Sequence, residues 1–150
     1  MASHVYDLIA VMIGATRDAE ETAQGRGMQA ARLHALKHDI ARNLGRSSLS
    51  VAALAERHGY TPRLVQRLFE SQGTTFTEYV LAQRLARAHR MLRDPRRDGG
   101  KISAVAHDCG FGDLSYFNRV FRQHYAAAPS DVRAQARREM ASDTLPSSGD

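Results

Sequence analysis

An all-α fold is predicted by three features of this 150-residue chain. Apolar residues recur at helical spacing and no alternating strand pattern of useful length occurs. Residues suited to helix caps stand ahead of most of the apolar runs. The third feature is a degenerate internal repeat, in which AERHGY at 55–60 returns as AHDCGF at 106–111. Each copy leads through a polar turn into a segment ending Arg-apolar-Phe, namely Arg67, Leu68, Phe69 and then Arg119, Val120, Phe121. The offset is 51 residues before the turn and 52 after it, so two similar helix, turn, helix units are expected.

Val5, Leu8, Ile9, Met12 and Ile13 fall at i, i+3, i+4, i+7 and i+8, one face of a short helix. Residues 14–27 are polar and rich in small residues, with Gly25 and Gly27 near their end, and read as a linker with room for a frayed helical turn. From Met28 a second helix carries Leu33, Leu36, Ile40 and Leu44 on one side, with Gly45 at its C′ position. Ser50 caps a helix over 51–58, and Gly59 supplies the positive φ of a tight turn. Thr61 as N-cap and Pro62 at N1 then open a helix to about Ser71 that buries Leu64, Leu68 and Phe69. Thr75 and Glu78 form a capping box ahead of a helix to about Leu92, with Tyr79, Val80, Leu85, Ala88 and Leu92 inward. After a Pro/Gly/charge loop over 94–101, residues 102–109, the Gly110 turn, Asp113 as N-cap and a helix over 114–125 repeat the earlier unit. Pro129 opens a last helix to about Met140.

The expected organisation is an N-terminal helix and polar linker at 1–27, a double-repeat domain at 28–140 and a disordered tail at 141–150. Within the domain the first unit spans 50–71, a linker helix 76–92 and the second unit 102–125.

The net charge is +5, and it is concentrated. Residues 46–138 hold sixteen Lys/Arg against eight Asp/Glu, whereas 1–45 balance at five against five and 139–150 sum to −3. A concentrated positive field attracts phosphate backbones and releases their counterions, which makes nucleic acid the leading partner class. The single cysteine excludes an internal disulfide and suits a reducing cytosol. No signal peptide or membrane-spanning stretch is present in the sequence, so no membrane role is expected.

A helix-turn-helix needs a small residue in its first helix, where the second crosses closely, and a Gly-like turn about four residues later. Ala55 with Gly59, and Ala106 with Gly110, meet that requirement twice. With LAERHGYTPRLVQRLF, GTTFTEYVLAQRLARAHRML and ISAVAHDCGFGDLSYFNRVFRQHYAAAP, the chain resembles the DNA-binding domain of the AraC/XylS family of bacterial transcription regulators over residues 49–133. The resemblance implies two helix-turn-helix subdomains of homeodomain-like type joined by a linker helix, with both recognition helices in successive major-groove segments of double-stranded DNA. It implies cytoplasmic, nucleoid-associated action and RNA polymerase as a further partner.

Carried over by position, the first recognition helix would present Pro62 at its entrance and Arg63, Gln66 and Arg67 to the groove. The second would present Leu114, Ser115, Asn118 and Arg119, with Tyr116 reaching the backbone and Phe117 inward. Arg pairs bidentately with guanine and Gln with adenine, and an exposed Leu114 suits a thymine methyl. The bland alternative for each residue is solvated helix surface. Two departures from the family pattern stand at the closing turn. Ala126 occupies a position usually held by Gly, and Ala128 one usually held by a capping Ser or Thr.

In one branch of the family a helix similar to VYDLIAVMIGA ends a sensor and dimerisation domain. The chain is therefore expected to be the C-terminal part of a longer regulator, monomeric or weakly dimeric through that helix, with the effector unspecified. A free-standing small regulator is the alternative. A different class of function, a helical protein-interaction module whose basic face binds an acidic partner, also fits the charge. His34 and His38 at i, i+4 lack a third metal ligand in sequence, and ordinary surface histidines are the simpler reading. Cys109 reads as a small packing residue before it reads as a redox sensor. No cofactor is implied, and no nucleophile-elbow or phosphate-loop pattern supports catalysis.

Overall fold

The computed structural model describes the backbone of residues 3–97 and 99–143 and the side chains of residues 19–97 and 99–142. Among the described residues every regular element is helical: α1 (Ser3–Asn43), α2 (Val51–His58), α3 (Pro62–Glu70), α4 (Phe76–Arg93), a 3₁₀ turn (Pro95–Arg97), α5 (Ile102–Asp108), α6 (Leu114–Tyr125) and α7 (Pro129–Asp143). None of these helices is long and apolar enough to cross a membrane.

α1 overturns the predicted linker, because it runs unbroken through residues 14–27. Ala15, Ala19, Glu20, Glu21, Ala23 and Gln24 are good helix formers, and Gly25 and Gly27 each cost only about 1 kcal/mol in a helix interior. Residues 19–31 are exposed along the whole circumference. The apolar stripe from Val5 to Ile13 lies in this helix, but its side chains fall outside the described residues. Two bodies can be distinguished, one up to His38 and one from Asp39 onward. In the first, Leu33 and Leu36 are buried.

The body from Asp39 holds both repeats. Ile40 and Leu44 are buried, as are Leu54, Ala55, Val65, Leu68 and Phe69 of the first repeat, and Phe69 meets Phe76 edge-on at 5.9 Å and Tyr79 at 5.2 Å between ring centroids. Burying each such large side chain contributes about 1.5–3 kcal/mol. A second cluster joins Leu85, Ala88 and Leu92 of α4 to Val105, Ala106, Cys109, Phe111, Phe117 and Phe121 of the second repeat and Val132 of α7. Helix α4 therefore contributes to both cores, with Phe76 and Val80 toward its first end and Leu85 to Leu92 toward its second.

Caps fall where the sequence places them. Ser50 Oγ accepts from Ala53 N at 3.1 Å and Thr61 Oγ1 from Leu64 N at 3.2 Å, while the Asp113 carboxylate accepts from Tyr116 N. Thr75 and Glu78 complete their reciprocal box at 2.9 and 3.2 Å. Each of these bonds satisfies a backbone donor that a helix start leaves free.

Two further expectations are corrected. Gly45 is not a left-handed cap, since α1 ends at Asn43 and Gly45 is absent from the positive-φ residues. Its constraint is spatial: a Cβ there would lie 2.6 Å from the Asp108 carbonyl oxygen. α7 extends past Met140 to Asp143, and the rest of the predicted tail, 144–150, lies outside the described residues.

Candidate nucleic-acid interface

Helix α3 buries Val65, Leu68 and Phe69, which stand at i, i+3 and i+4. The inward stripe is thus centred one residue beyond the predicted pair Leu64 and Leu68, and Leu64 is only half-buried. The opposite face carries Pro62, Arg63, Gln66 and Arg67, all exposed as expected, and continues to Glu70. Pro62 at N1 and the Thr61 cap fix where this face begins.

Helix α6 buries Phe117 and Phe121 completely. Ser115, Tyr116 and Arg119 are exposed, Asn118 is half-buried, and Leu114 is 42% exposed. The Arg119 guanidinium sits over the Tyr116 ring, 5.5 Å from its centroid, a contact of about 0.5–1 kcal/mol that restrains it near Ser115 and Asn118. Ser115, Asn118, Arg119, Arg122 and Gln123 line one shallow depression. Arg122 and Gln123 were missed in the sequence, although i+7 and i+8 from Ser115 is the signal that identifies them.

Arg84 of α4 ties the two repeats together. Its Nε donates to Leu44 O at 3.0 Å and its Nη2 to Arg46 O at 3.0 Å. On its other side lies the turn of the second repeat, where a Cβ on Gly110 would come within 2.7 Å of Leu44 O and 2.9 Å of the Arg84 guanidinium carbon. One side chain thereby satisfies two carbonyls at the entrance to the first repeat while packing on the turn of the second. Burial holds the Arg84 pKa below its ordinary value. Beside this joint, a cavity of about 380 Å³ is walled by Leu49, Val51, Phe76, Val80, Phe111 and Tyr116, among others.

The remaining candidates carry no interface. Cys109 is fully buried and burial pushes its thiol up to about 11, which keeps it protonated and unreactive at neutral pH. His34 and His38 are both exposed, and no group of three or more His, Cys, Asp or Glu able to hold a metal occurs among the described residues. An acidic residue serves scaffold needs instead: Asp39 Oδ2 receives Arg57 Nε at 2.9 Å and lies 3.0 Å from His58 Nε2.

Comparison with known proteins gives a consistent result. A family profile described as a helix-turn-helix domain matches residues 54–135. The transcriptional activator RhrA of Rhizobium meliloti strain 1021 is 38% identical over 136 residues, which cover 91% of this chain and 42% of that protein. The chain thus spans less than half of that activator's length. Among solved structures, a transcriptional regulator from Chromobacterium violaceum, described as containing an AraC-type DNA-binding domain, matches with a TM-score of 0.65 and 27% identity over 73% of this chain and 96% of that one. The DNA-binding domain of AdpA, a global transcriptional factor solved in complex with a target DNA, shares the fold with a TM-score of 0.62 at 23% identity, over 71% and 94% of the two chains.

Proposed function

The chain belongs to the AraC-type helix-turn-helix family of transcription regulators, and from that premise we propose that its second body reads double-stranded DNA in a sequence-specific way through α3 and α6. Family membership sets the chain among transcription regulators rather than enzymes. The observation that carries the proposal is the pair of exposed polar stripes at matched positions of a duplicated scaffold, with Arg63, Gln66 and Arg67 on one and Ser115, Asn118 and Arg119 on the other.

Each stripe suits major-groove recognition. Arg67 and Arg119, at equivalent places, offer bidentate donors to guanine O6 and N7, and Gln66 and Asn118 offer the donor and acceptor pair that adenine requires. Leu114 supplies an apolar contact for a thymine methyl, and Tyr116 a hydroxyl for the sugar-phosphate backbone. Because Arg63 and Gln66 correspond to Ser115 and Asn118, the site read is asymmetric and one copy suffices to read it. For the whole protein we propose RNA polymerase as a further partner, in keeping with the relatives named as transcriptional activators, and action in the cytoplasm on the nucleoid. We further propose that the first part of α1 belongs to a sensor and dimerisation region.

Selection of bound sequences from a random duplex library tests the proposal. An asymmetric consensus with two contacted segments about one helical turn apart is expected. Uniform, salt-sensitive binding to any polyanion, heparin included, would sink it and favour an acidic protein partner. On the selected duplex, Arg67→Ala and Arg119→Ala should each cost about 1–3 kcal/mol of discrimination at one base pair while helicity stays unchanged. Equal losses on every sequence would instead make them phosphate contacts.

A further inference from the structure

The two exposed stripes carry opposite charges at one matched position. Glu70 stands seven residues after Arg63 and Arg122 seven after Ser115, so each lies on the face its helix exposes. The repeat offset of 52 makes them equivalent. Both side chains are exposed, and the ion pairs found among the described residues involve Asp39, Glu139 and Asp108 with other cations, leaving Glu70 and Arg122 outside them. The helices also differ in length. α3 stops at Glu70, whereas α6 continues to Tyr125 and adds Arg122 and Gln123 to the depression around Arg119.

Two turns into a recognition helix, side chains leave the base edges and approach the phosphates that wall the groove. A guanidinium there gains a charge-assisted contact and releases a counterion. A carboxylate there meets like charge, and no ion pair found among the described residues offsets it. Resting on the DNA-reading role argued above, we propose that Arg122 is a phosphate anchor which makes α6 the stronger of the two reading helices, and that Glu70 is a repulsive element which weakens the hold of α3 on any duplex. Unequal grip is then built into the repeat at a single equivalent position. A regulator with one firm and one weak reading helix stays on DNA through the second repeat while the first engages where Arg63, Gln66 and Arg67 find their bases.

The test is fluorescence anisotropy of the whole 150-residue chain on its selected duplex and on a scrambled one, at 50–200 mM salt. Arg122→Gln should weaken both complexes and lower the slope of log K against log salt by about 0.9, the loss of one phosphate contact. Glu70→Gln should tighten both by about two- to fivefold at the lowest salt, with the gain shrinking as salt rises. Glu21→Gln removes the same charge from an exposed site on α1 and serves as the control. An equal gain from Glu21→Gln would report net charge rather than position and overturn the proposal, as would a Glu70→Gln complex no tighter than wild type or an unchanged salt slope in Arg122→Gln. A wild-type chain without sequence preference would overturn the DNA-reading role and this inference together. A clear preference with unresponsive Glu70 and Arg122 would overturn the inference alone.

Discussion

Replacing Ala126 with glycine should stabilise the protein without altering what it binds. Ala126 follows α6 in a left-handed conformation, φ 54° and ψ 20°, and it is the one non-glycine residue with positive φ among the described residues. An L-residue in that region suffers a clash between its Cβ and the following carbonyl that costs about 1–2 kcal/mol, and glycine escapes it. Glycine takes back about 0.4–1 kcal/mol through the greater freedom of its unfolded chain. The side chain is exposed, so removing the methyl sacrifices little burial. The balance is a gain of about 1 kcal/mol, or about 3 °C in Tm for a chain of this size. Urea unfolding followed by circular dichroism at 222 nm should show a higher midpoint with the same m-value, since the surface exposed on unfolding does not change. Affinity for the selected duplex should stay as in wild type, because Ala126 lies beyond the residues α6 presents. A midpoint equal to or below that of wild type would refute the assignment of strain to this turn.

The turn glycines of the two repeats should respond unequally to alanine. Gly110→Ala combines φ 87° with a Cβ 2.7 Å from the Leu44 carbonyl oxygen, so strain and overpacking together should cost about 2–5 kcal/mol, whereas Gly59→Ala, at φ 66° with nothing within 4 Å, should cost about 1–2 kcal/mol. Equal urea midpoints for the two variants would contradict the close approach of the Leu44 and Gly110 backbones. Asp39 titrates below the usual carboxylate range: burial alone would raise it, but hydrogen bonds from Arg57 and His58 and their positive charges outweigh that effect. A depressed carboxylate adds stability that is present above its unfolded pKa and is lost as pH falls through the folded one, so the wild type should lose stability below about pH 3.8 more steeply than Asp39→Asn. Parallel acid limbs in pH-dependent urea melts would show that the pair with Arg57 contributes nothing.

Much of the second body was legible because its signals are local. The span of α2 and both ends of α6 follow from Ser50, Gly59, Asp113 and the aromatic spacing of Phe117 and Phe121, each of which acts within one or two turns. The outward placement of most residues proposed to read DNA was equally legible, since a helix that buries one face must present the other. Errors arose where the deciding contact was distant or the local evidence was evenly weighed. Residues 14–27 carry two glycines that disfavour helix locally, and the helix formers around them outweigh that cost. Gly45 looked like a cap because its real neighbour, the Asp108 carbonyl, lies 63 positions away along the chain. Period alone admits either Leu64 or Val65 to the inward stripe, and the partners that settle the rotation of α3, Phe76 and Tyr79 against Phe69, come from another helix.

The duplicated frame is therefore less symmetric than its sequence suggests, and the asymmetry has a single physical origin. α4 and the loop around Leu44 meet the second repeat at its turn, so Gly110 is hemmed in by Leu44 O and Arg84 while Gly59 stands open. The first repeat instead is secured from α1, through Arg57 and His58 on Asp39. Beyond their two buried cores, the turn of the second repeat is thus packed against backbone, while the first repeat adds partly exposed ion pairs, which are worth less individually and weaken with salt. If DNA is read as proposed, that difference runs in the same direction as the charges at Glu70 and Arg122. The second repeat has the more crowded turn and the more attractive face, so adjustment to an imperfect site is expected to fall on α3.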